Sequence, residues 1–131
     1  MHALDTNALV RFLVNDDTKQ ATRVKNIFET AEKDGSVFII TLAVVLELLW
    51  VLAAVYDRSR ASILTALEEL TLLPILRFEK PDLVQQLIIL GRSTAIDLPD
   101  ILIGLSARHL ECVTTLTFDR KAAKSSLFEL L

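Results

Sequence analysis

Five carboxylates stand out among the 17 acidic residues because of where they fall along the chain. Asp5 directly follows a short apolar start, and Asp119 follows the last long strand-like segment. Glu47 lies inside an apolar helical stretch, and Asp97 and Asp100 flank the start of another. In an open parallel sheet, ligands bind outside the carboxyl ends of the strands, so acids at these points differ from acids on solvated helix faces. We therefore predict that these five residues carry the chemistry.

Carboxylates gathered at one place cannot all ionise without counter-charge, because like charges a few ångströms apart raise each other's pKa. Hard divalent cations relieve this repulsion. Mg²⁺ and Mn²⁺ take oxygen ligands, keep several waters, and can activate one water for in-line attack on phosphorus while stabilising the leaving oxygen. The five acids therefore favour a Mg²⁺ or Mn²⁺ centre that hydrolyses phosphodiester bonds.

Each acid also has a purely structural interpretation, which the sequence leaves open. Four of them stand where helix capping or turn formation would be a sufficient role, namely Asp5, Asp97, Asp100 and Asp119. Glu47 is harder to explain in this way, because a buried carboxylate is costly unless it stays protonated or meets a cation such as Arg11. Capping and metal binding can coexist at the same residue.

No other catalytic machinery is visible in the chain, which contains neither GxxxxGK[ST] nor GxSxG. His2 and His109 are isolated, and a histidine beside Arg108 is typical of a surface position rather than of a general base. Cys112 opens a predicted core strand, where we interpret it as an inert buried thiol. A single cysteine forms no internal disulfide and no zinc cluster, which favours a reducing compartment.

Alternating strand and helix patterns supply the elements that position these residues. We predict strands over 1–4, 37–40 and 112–117, a short strand-like piece over 74–78, and a final apolar run over 127–131. We predict helices over 6–14, 18–33, 41–56, 59–72, 81–90 (ended by Gly91) and 100–109. This alternation implies an α/β fold with a mostly parallel sheet covered on both faces, in one domain over residues 1–131.

The apolar run from Val37 to Tyr56 is long enough for a bilayer and so tests the expectation of a protein without a membrane segment. Glu47 near its middle would be expensive in lipid. Residues 37–40 are β-branched and aromatic, and Thr41 can cap a following helix. We therefore expect the run to divide into a buried strand and a central core helix that is hydrophobic nearly all round.

Composition sets broader limits on function. The chain has 131 residues, of which 52% are hydrophobic and 24% charged, with no charge block, so disorder and a polybasic tail are excluded. Its formal charge of −3 argues against binding nucleic acid by bulk electrostatics but not against a locally basic face. No basic segment leads into an apolar stretch at the N-terminus, so we expect no signal peptide and a cytoplasmic protein.

Four segments in a fixed order resemble a known family. They are Leu4–Asn7 at the N-terminus, Glu47 in its apolar helix after a strand, residues 97–103, and residues 115–120. Together they look like a PIN domain and, more narrowly, the chain resembles the VapC-type toxins of bacterial and archaeal type II toxin–antitoxin modules. The likeness spans essentially the whole chain. Each motif alone is weak, and the specific signal is the ordered set.

This resemblance implies an α/β/α sandwich with a central, mostly parallel sheet and a Mg²⁺- or Mn²⁺-dependent endoribonuclease. The family's acidic quartet would fall on Asp5, Glu47, Asp100 and Asp119, with Asp97 as a further acid in the same segment. Pro99 lies between Asp97 and Asp100, where the family would have a small residue. We therefore rank Asp100 above Asp97 as a direct ligand. No member of the quartet is missing.

The resemblance also assigns supporting residues and partners. Thr6 and Asn7 match the polar residues after the first acid, and Asn7 could position a carboxylate or a phosphate. Thr117, with Thr115 as the alternative, matches the hydroxyl near the last acid, where it can orient a carboxylate or a water. The implied partners are RNA, a second copy of the chain in a homodimer, and an antitoxin whose C-terminal segment packs in a groove near the active site.

Two further features of the sequence fit an RNA-cleaving protein with partners. Basic residues follow the last acid immediately and offer a rim for a phosphate backbone, although a solvated charge run is equally typical: Arg120, Lys121 and Lys124. The apolar content also exceeds the needs of one small core, and exposed apolar patches mark partner surfaces. The first helices carry large apolar residues among their aliphatic ones: Phe12, Ile27, Phe28 and Trp50.

Three other functions are alternatives to this interpretation. A haloacid-dehalogenase-like phosphatase needs a second Asp two residues after the first, and Asn7 occupies that place. A receiver domain needs a phosphoacceptor Asp after a mid-chain strand, whereas Asp57 follows a helical pattern. A PIN-like module that binds RNA or protein without cleavage remains the main alternative, since a fold alone does not establish catalysis.

Overall fold

The computed structural model describes all 131 residues, and the chain forms two compact units, Met1–Glu79 and Lys80–Leu131. Strands and helices alternate in both units, and every strand pair is parallel. The prediction of the α/β class with parallel sheets and surrounding helices is therefore confirmed. The candidate residues divide between the units, with Asp5 and Glu47 in the first unit and the other three acids in the second.

The first unit contains a three-stranded parallel sheet in the order β1-β2-β3. Its strands are β1 (His2–Ala3), β2 (Phe38–Ile40) and β3 (Leu76–Phe78). Its helices are α1 (Thr6–Val14), α2 (Thr18–Asp34), α3 (Leu42–Ala54) and α4 (Arg60–Thr71). The register aligns His2 with Phe38 and Phe38 with Leu76, so the carboxyl ends of all three strands lie at one edge of this sheet.

Side-chain oxygens cap all four helices in this unit, with Asp5 as the cap of α1. Asp17 accepts a hydrogen bond from the backbone N–H of Gln20 at 3.0 Å, and Thr41 accepts one from Val44 at 3.2 Å. Ser59 caps α4 in the same way. Such caps satisfy donors that lack a partner within the helix. The predicted capping role of Thr41 is confirmed, and it places the start of α3 directly after β2.

The expectation that α3 is a core helix buried on all sides is wrong. Val45 and Leu48 are buried, but Leu46 is 37% exposed and Trp50 is 59% exposed. The helix packs against α1 and α4 and presents its remaining apolar side chains to solvent. An apolar composition favours burial but does not specify which faces of a helix will have neighbours. The result is an unusually apolar exposed helix face that also carries Glu47.

The apolar run from Val37 to Tyr56 divides into β2 and α3, as predicted. None of the helices in the structure combines the length and the apolar character that crossing a bilayer requires.

The second unit contains a helical pair and a two-stranded parallel sheet. Its elements are α5 (Pro81–Ser93), α6 (Leu98–His109), β4 (Thr115–Thr117), a short 3₁₀ helix (Ala122–Lys124) and β5 (Phe128–Leu130). The two helices pack against each other through buried aliphatic side chains, among them Leu87, Ile88, Ile101 and Leu105. Strands β4 and β5 align Thr115 with Phe128 and Thr117 with Leu130.

Two local predictions in this unit are wrong. Gly91 does not end its helix, because α5 continues to Ser93 and stops only where Thr94 becomes extended, with Gly91 buried inside the helix. Cys112 does not open a core strand and is exposed. The backbone at Glu111 takes a positive φ of 66°, and the N–H of Cys112 bonds back to the carbonyl of Ala107. This turn delays the strand until Thr115.

At Gly104, α6 packs closely against the residues at the start of the C-terminal strand. A Cβ at this position would lie 2.9 Å from the Cβ of Leu127 and 3.0 Å from Cε2 of Phe128. Side chains are essentially never this close, so a methyl group would displace both neighbours. The absence of a side chain at Gly104 thus lets α6 lie directly against the start of β5.

We predict that Gly104→Ala lowers the free energy of unfolding by about 1–3 kcal/mol because it overpacks this contact. Urea unfolding followed by circular dichroism measures the change. The sign of the change in unfolding free energy identifies the cause, because Gly→Ala in a helix without a close neighbour normally stabilises a protein by about 1 kcal/mol. A more stable Gly104→Ala variant would contradict the packing described here.

Candidate active site

The first candidate acid, Asp5, lies at the junction of β1 and α1. It is exposed, and its Oδ1 accepts a hydrogen bond from the backbone N–H of Thr6 at 2.8 Å. Asp5 therefore does cap α1. The side chain of Thr6 is buried, at 2% exposure, and its Oγ1 has no hydrogen-bond partner. A capping carboxylate keeps a second oxygen, so the structural role of Asp5 is compatible with ligand binding.

Glu47 lies in the second turn of α3 and is exposed, which corrects the expectation of a buried carboxylate that needs a cation. The interpretation in which Arg11 neutralises it is also wrong. Arg11 instead donates to Asp16 at 2.9 Å, to Gln20 at 2.6 Å and to the Tyr56 hydroxyl at 3.2 Å. Glu47 forms no ion pair, so its carboxylate is available to an incoming cation.

Asp97 and Asp100 lie at the start of α6. Asp97 occupies the N-cap position, but its side chain makes no capping hydrogen bond. Its Oδ1 instead accepts a hydrogen bond from Nζ of Lys121 at 3.2 Å. The capping interpretation of Asp97 is therefore wrong. The buried side chains of Leu98 and Ile101 anchor this first helical turn and hold Asp100 in a partly buried position.

Asp100 is the acid with the clearest electrostatic perturbation. Partial burial raises the pKa of its carboxyl above the ordinary value of 3.8, and the nearby carboxylates of Asp97 and Asp119 raise this pKa further, while Lys121 opposes them. These causes place three candidate acids within electrostatic reach of one another in the second unit. A perturbed acid beside like charges is a typical feature of functional sites.

Asp119 lies in a tight turn after β4 that fixes its direction. Its Oδ1 accepts hydrogen bonds from the backbone N–H groups of Lys121 at 2.8 Å and Ala122 at 3.2 Å. Its own N–H donates to Oγ1 of Thr117 at 3.0 Å. Thr117 thus holds the backbone of this turn, whereas the alternative hydroxyl, that of Thr115, is buried without a partner. Asp119 combines a turn role with a position beside Asp100.

The three basic residues that follow Asp119 have different environments. Arg120, Lys121 and Lys124 are all exposed, as expected of a basic rim. Lys121 is nevertheless engaged with Asp97, which the sequence analysis missed. No local pattern signals this contact, because the two residues are 24 positions apart. The lysine currently supplies the positive charge nearest to the three carboxylates.

The donor chemistry of these residues fits a hard divalent cation, because all five are carboxylates. In addition, burial and the acidic neighbours of Asp100 disfavour its ionised form, which a cation would stabilise. Within either unit, however, no group of three or more His, Cys, Asp or Glu side chains is arranged to hold a metal ion. The fit therefore rests on oxygen donors and uncompensated repulsion rather than on a formed coordination shell.

Comparison with known proteins gives one match. The family model for the PIN domain matches residues 3–125, which includes all five candidate acids. No curated protein and no solved structure matches the chain.

The raised pKa of Asp100 leads to a prediction about stability and pH in the absence of metal. A folded-state pKa above the unfolded value means that the ionised carboxylate destabilises the fold. We therefore expect Asp100→Asn, in EDTA, to raise the free energy of unfolding at pH 7 by a few tenths of a kcal/mol, the range of solvent-screened charge interactions.

The pH dependence provides the check. The penalty is fully present above the raised pKa and disappears as the pH falls below 3.8, so the difference between Asp100→Asn and wild type should shrink on acidification. Urea unfolding between pH 7 and pH 3 measures this, with Asp82→Asn, an exposed acid in the first turn of α5, as the matched control. An equal effect at both pH values would exclude electrostatic repulsion as the cause.

Proposed function

The chain belongs to the PIN domain family, and from this premise we propose that it is a Mg²⁺- or Mn²⁺-dependent endoribonuclease that serves as the toxin of a toxin–antitoxin pair. The PIN domain is a nuclease-type domain, and this gives the general class of activity. Metal dependence, RNA as the substrate and the toxin role are the parts that we propose.

The observation that carries the proposal is the clustering of Asp97, Asp100 and Asp119. Partial burial raises the pKa of Asp100, and the folded chain also holds Asp97 and Asp119 close enough to raise this pKa further. Such an arrangement is destabilising by itself and becomes favourable when a cation enters. Lys121 pairs with Asp97, and two backbone N–H groups bond to Asp119, whereas the carboxylate of Asp100 has no such partner.

We propose that the ligands are Asp5, Glu47, Asp100 and Asp119, with Asp97 as an additional ligand. When bound, a divalent cation would neutralise these carboxylates and stabilise the negative charge that develops at the phosphate during hydrolysis. In both Asp5 and Asp119, the side-chain oxygen Oδ1 accepts hydrogen bonds from backbone N–H groups. These bonds fix the carboxylates in direction before any ligand arrives, which lowers the entropic cost of binding.

Other residues of the chain would bind and orient the substrate. Thr117 fixes the turn that presents Asp119, which makes it a positioning residue. Arg120 and Lys124 are exposed cations beside that turn and suit a phosphate backbone. Lys121 pairs with Asp97 and is itself exposed, so it is a further cation that would contact a phosphate. Local positive charge at the turn thus offsets the acidic net charge.

We predict that the purified protein cleaves structured RNA in the presence of Mg²⁺ or Mn²⁺ and that EDTA abolishes cleavage. Asp5→Asn, Asp100→Asn and Asp119→Asn should each lower the rate by about 100-fold or more, since each removes a direct metal ligand. Gel analysis of end-labelled RNA measures the rates, and calorimetric titration with Mn²⁺ measures metal binding independently of activity.

Asp82→Asn is the matched control, because it removes an exposed acid of the second unit that lies outside the proposed site. It should cleave like the wild type. Metal-independent cleavage, or full activity in the three site variants, would contradict the proposed centre. RNA binding without any cleavage would favour the alternative of a binding module.

The toxin role and the partners are proposals supported by exposed apolar side chains. Leu46 is 37% exposed and Trp50 59% exposed one turn apart on α3, and Val55, directly after the helix, is 60% exposed. Apolar surface of this kind suits a second copy of the chain or an antitoxin segment. We propose both, with the antitoxin segment in a groove near the active site.

We predict that expression of the chain arrests bacterial growth, while Asp119→Asn, which lacks a metal ligand, does not. Growth curves after induction measure the effect, and immunoblots must show equal amounts of both proteins. Co-expression of the product of an adjacent small reading frame should restore growth and co-purify with the chain. Equal toxicity of Asp119→Asn would separate growth arrest from cleavage and refute the toxin mechanism.

A further inference from the structure

An open cavity of about 270 Å³ lies between α1 and α2 in the first unit. Its lining consists of Asn7, Ala8, Arg11, Gln20, Arg23 and Val24. Two guanidinium groups and two carboxamides supply nearly all its polar atoms, and none of the lining residues is acidic. A cavity that offers several N–H donors without a carboxylate is suited to an anion.

Arg11 forms a fixed wall of this cavity. Its guanidinium is held by Asp16 and Gln20, and its bond to the Tyr56 hydroxyl is the main cause that raises the pKa of Arg11 above its ordinary value. The Tyr56 hydroxyl in turn donates to the second oxygen of Asp16 at 2.9 Å. Asp16 thus compensates the charge of Arg11, and the network keeps the side chain in one position.

Arg23 is the guanidinium in the cavity whose N–H donors form no hydrogen bond within the protein. It lies on α2 between the buried residues Ala21 and Val24, is itself exposed, and makes no hydrogen bond or ion pair. Its charge is therefore uncompensated at the rim of a cavity that already contains a second guanidinium. A planar guanidinium with free N–H groups binds phosphate in a bidentate manner, which makes it the natural anion contact.

Asn7 links the cavity to the candidate active site. It lies in the first turn of α1, two residues after Asp5, and its exposed carboxamide forms part of the cavity lining. A nucleic acid strand whose reacting phosphate is at Asp5 would therefore have a neighbouring phosphate within reach of this cavity. Repeating phosphates along one chain are a property of the substrate proposed above.

We propose that the cavity between α1 and α2 is a subsite for a non-reacting phosphate of the RNA backbone, with Arg23 as its principal contact and Asn7 as a second donor. This inference rests on the proposed nuclease function. A carboxylate of a partner peptide also pairs with an arginine, but the cavity offers donors from four of its six lining residues, and only Ala8 and Val24 are wholly apolar. That environment favours the multiply accepting phosphate over a peptide side chain.

The experiment compares Arg23→Gln with Lys25→Gln, each in the Asp119→Asn background so that RNA stays intact. Lys25 is an exposed cation on the same helix outside the cavity, so both variants lose the same charge. Fluorescence anisotropy with a labelled single-stranded RNA gives Kd over a range of salt concentrations. Arg11 is unsuitable for this test, because its replacement would disrupt the network with Asp16 and Tyr56.

We expect Arg23→Gln to weaken RNA binding by about 3- to 10-fold at low salt, the effect of one lost charged hydrogen-bonded contact. The slope of log K against log salt should fall by about 0.7, which corresponds to one phosphate of a single strand. Lys25→Gln should change both quantities much less. In the cleaving enzyme, Arg23→Gln should raise KM and leave kcat nearly unchanged, because the contact is uniform between ground and transition states.

The outcomes separate this inference from the nuclease proposal. Equal Kd values and salt slopes for Arg23→Gln and Lys25→Gln would overturn the subsite, even if Arg23→Gln weakened binding of a labelled acidic peptide. Binding that depends on Arg23 without any cleavage by the wild type would support the subsite while refuting the nuclease. A wild-type protein that neither binds nor cleaves RNA would refute both.

Discussion

The partial burial of Asp100 beside two other carboxylates is the constraint on which the candidate site in the second unit depends. Asp100 is partly buried beside Asp97 and Asp119, and its pKa is raised by that burial and by both neighbours. A fold under selection for stability alone would disperse these charges or neutralise each one. Here one lysine, Lys121, partly offsets the repulsion through Asp97. The proposed metal centre would relieve the repulsion that this lysine leaves.

The surrounding structure must hold these acids in place against their repulsion. Buried Leu98 and Ile101 anchor the first turn of α6, and the close approach at Gly104 fixes that helix against β5. On the opposite side, the turn after β4 is fixed by the bond from the N–H of Asp119 to Thr117. Apolar burial and local hydrogen bonds thus provide the stabilisation that the carboxylates themselves do not.

The elements could be predicted from the sequence because their signals are local. Alternating apolar periods and capping residues such as Thr41 indicate which segments form the strands and helices. The environment of Glu47 could not be predicted in the same way. An apolar helix indicates burial on average, but whether a given face meets a neighbour depends on packing between elements distant in sequence. The exposure of Cys112 depends likewise on a turn with positive φ at Glu111.

Pairing between side chains was the least predictable part of the candidate site. The types and order of the acids indicate Asp100 and Asp119 as candidate ligands, because the chemistry of oxygen ligands limits the choices. The partner of a long basic side chain is a different matter, because its flexible stem can reach many acids at similar cost. Nothing near Lys121 in the sequence indicates Asp97, and nothing near Arg11 indicates Tyr56, 45 positions away.

Because of these pairings, the net charge alone does not predict whether the chain binds nucleic acid. A formal charge of −3 argues against nucleic acid only if charges act as an average over the surface. In this chain Asp16 compensates Arg11, whereas Arg23 faces its cavity without an acid. At physiological salt, exposed charges beyond about 8 Å are largely screened, so a phosphate responds to the groups beside it rather than to the total. The mildly acidic net charge is therefore compatible with the proposed basic contacts to RNA and with the proposed metal ligands.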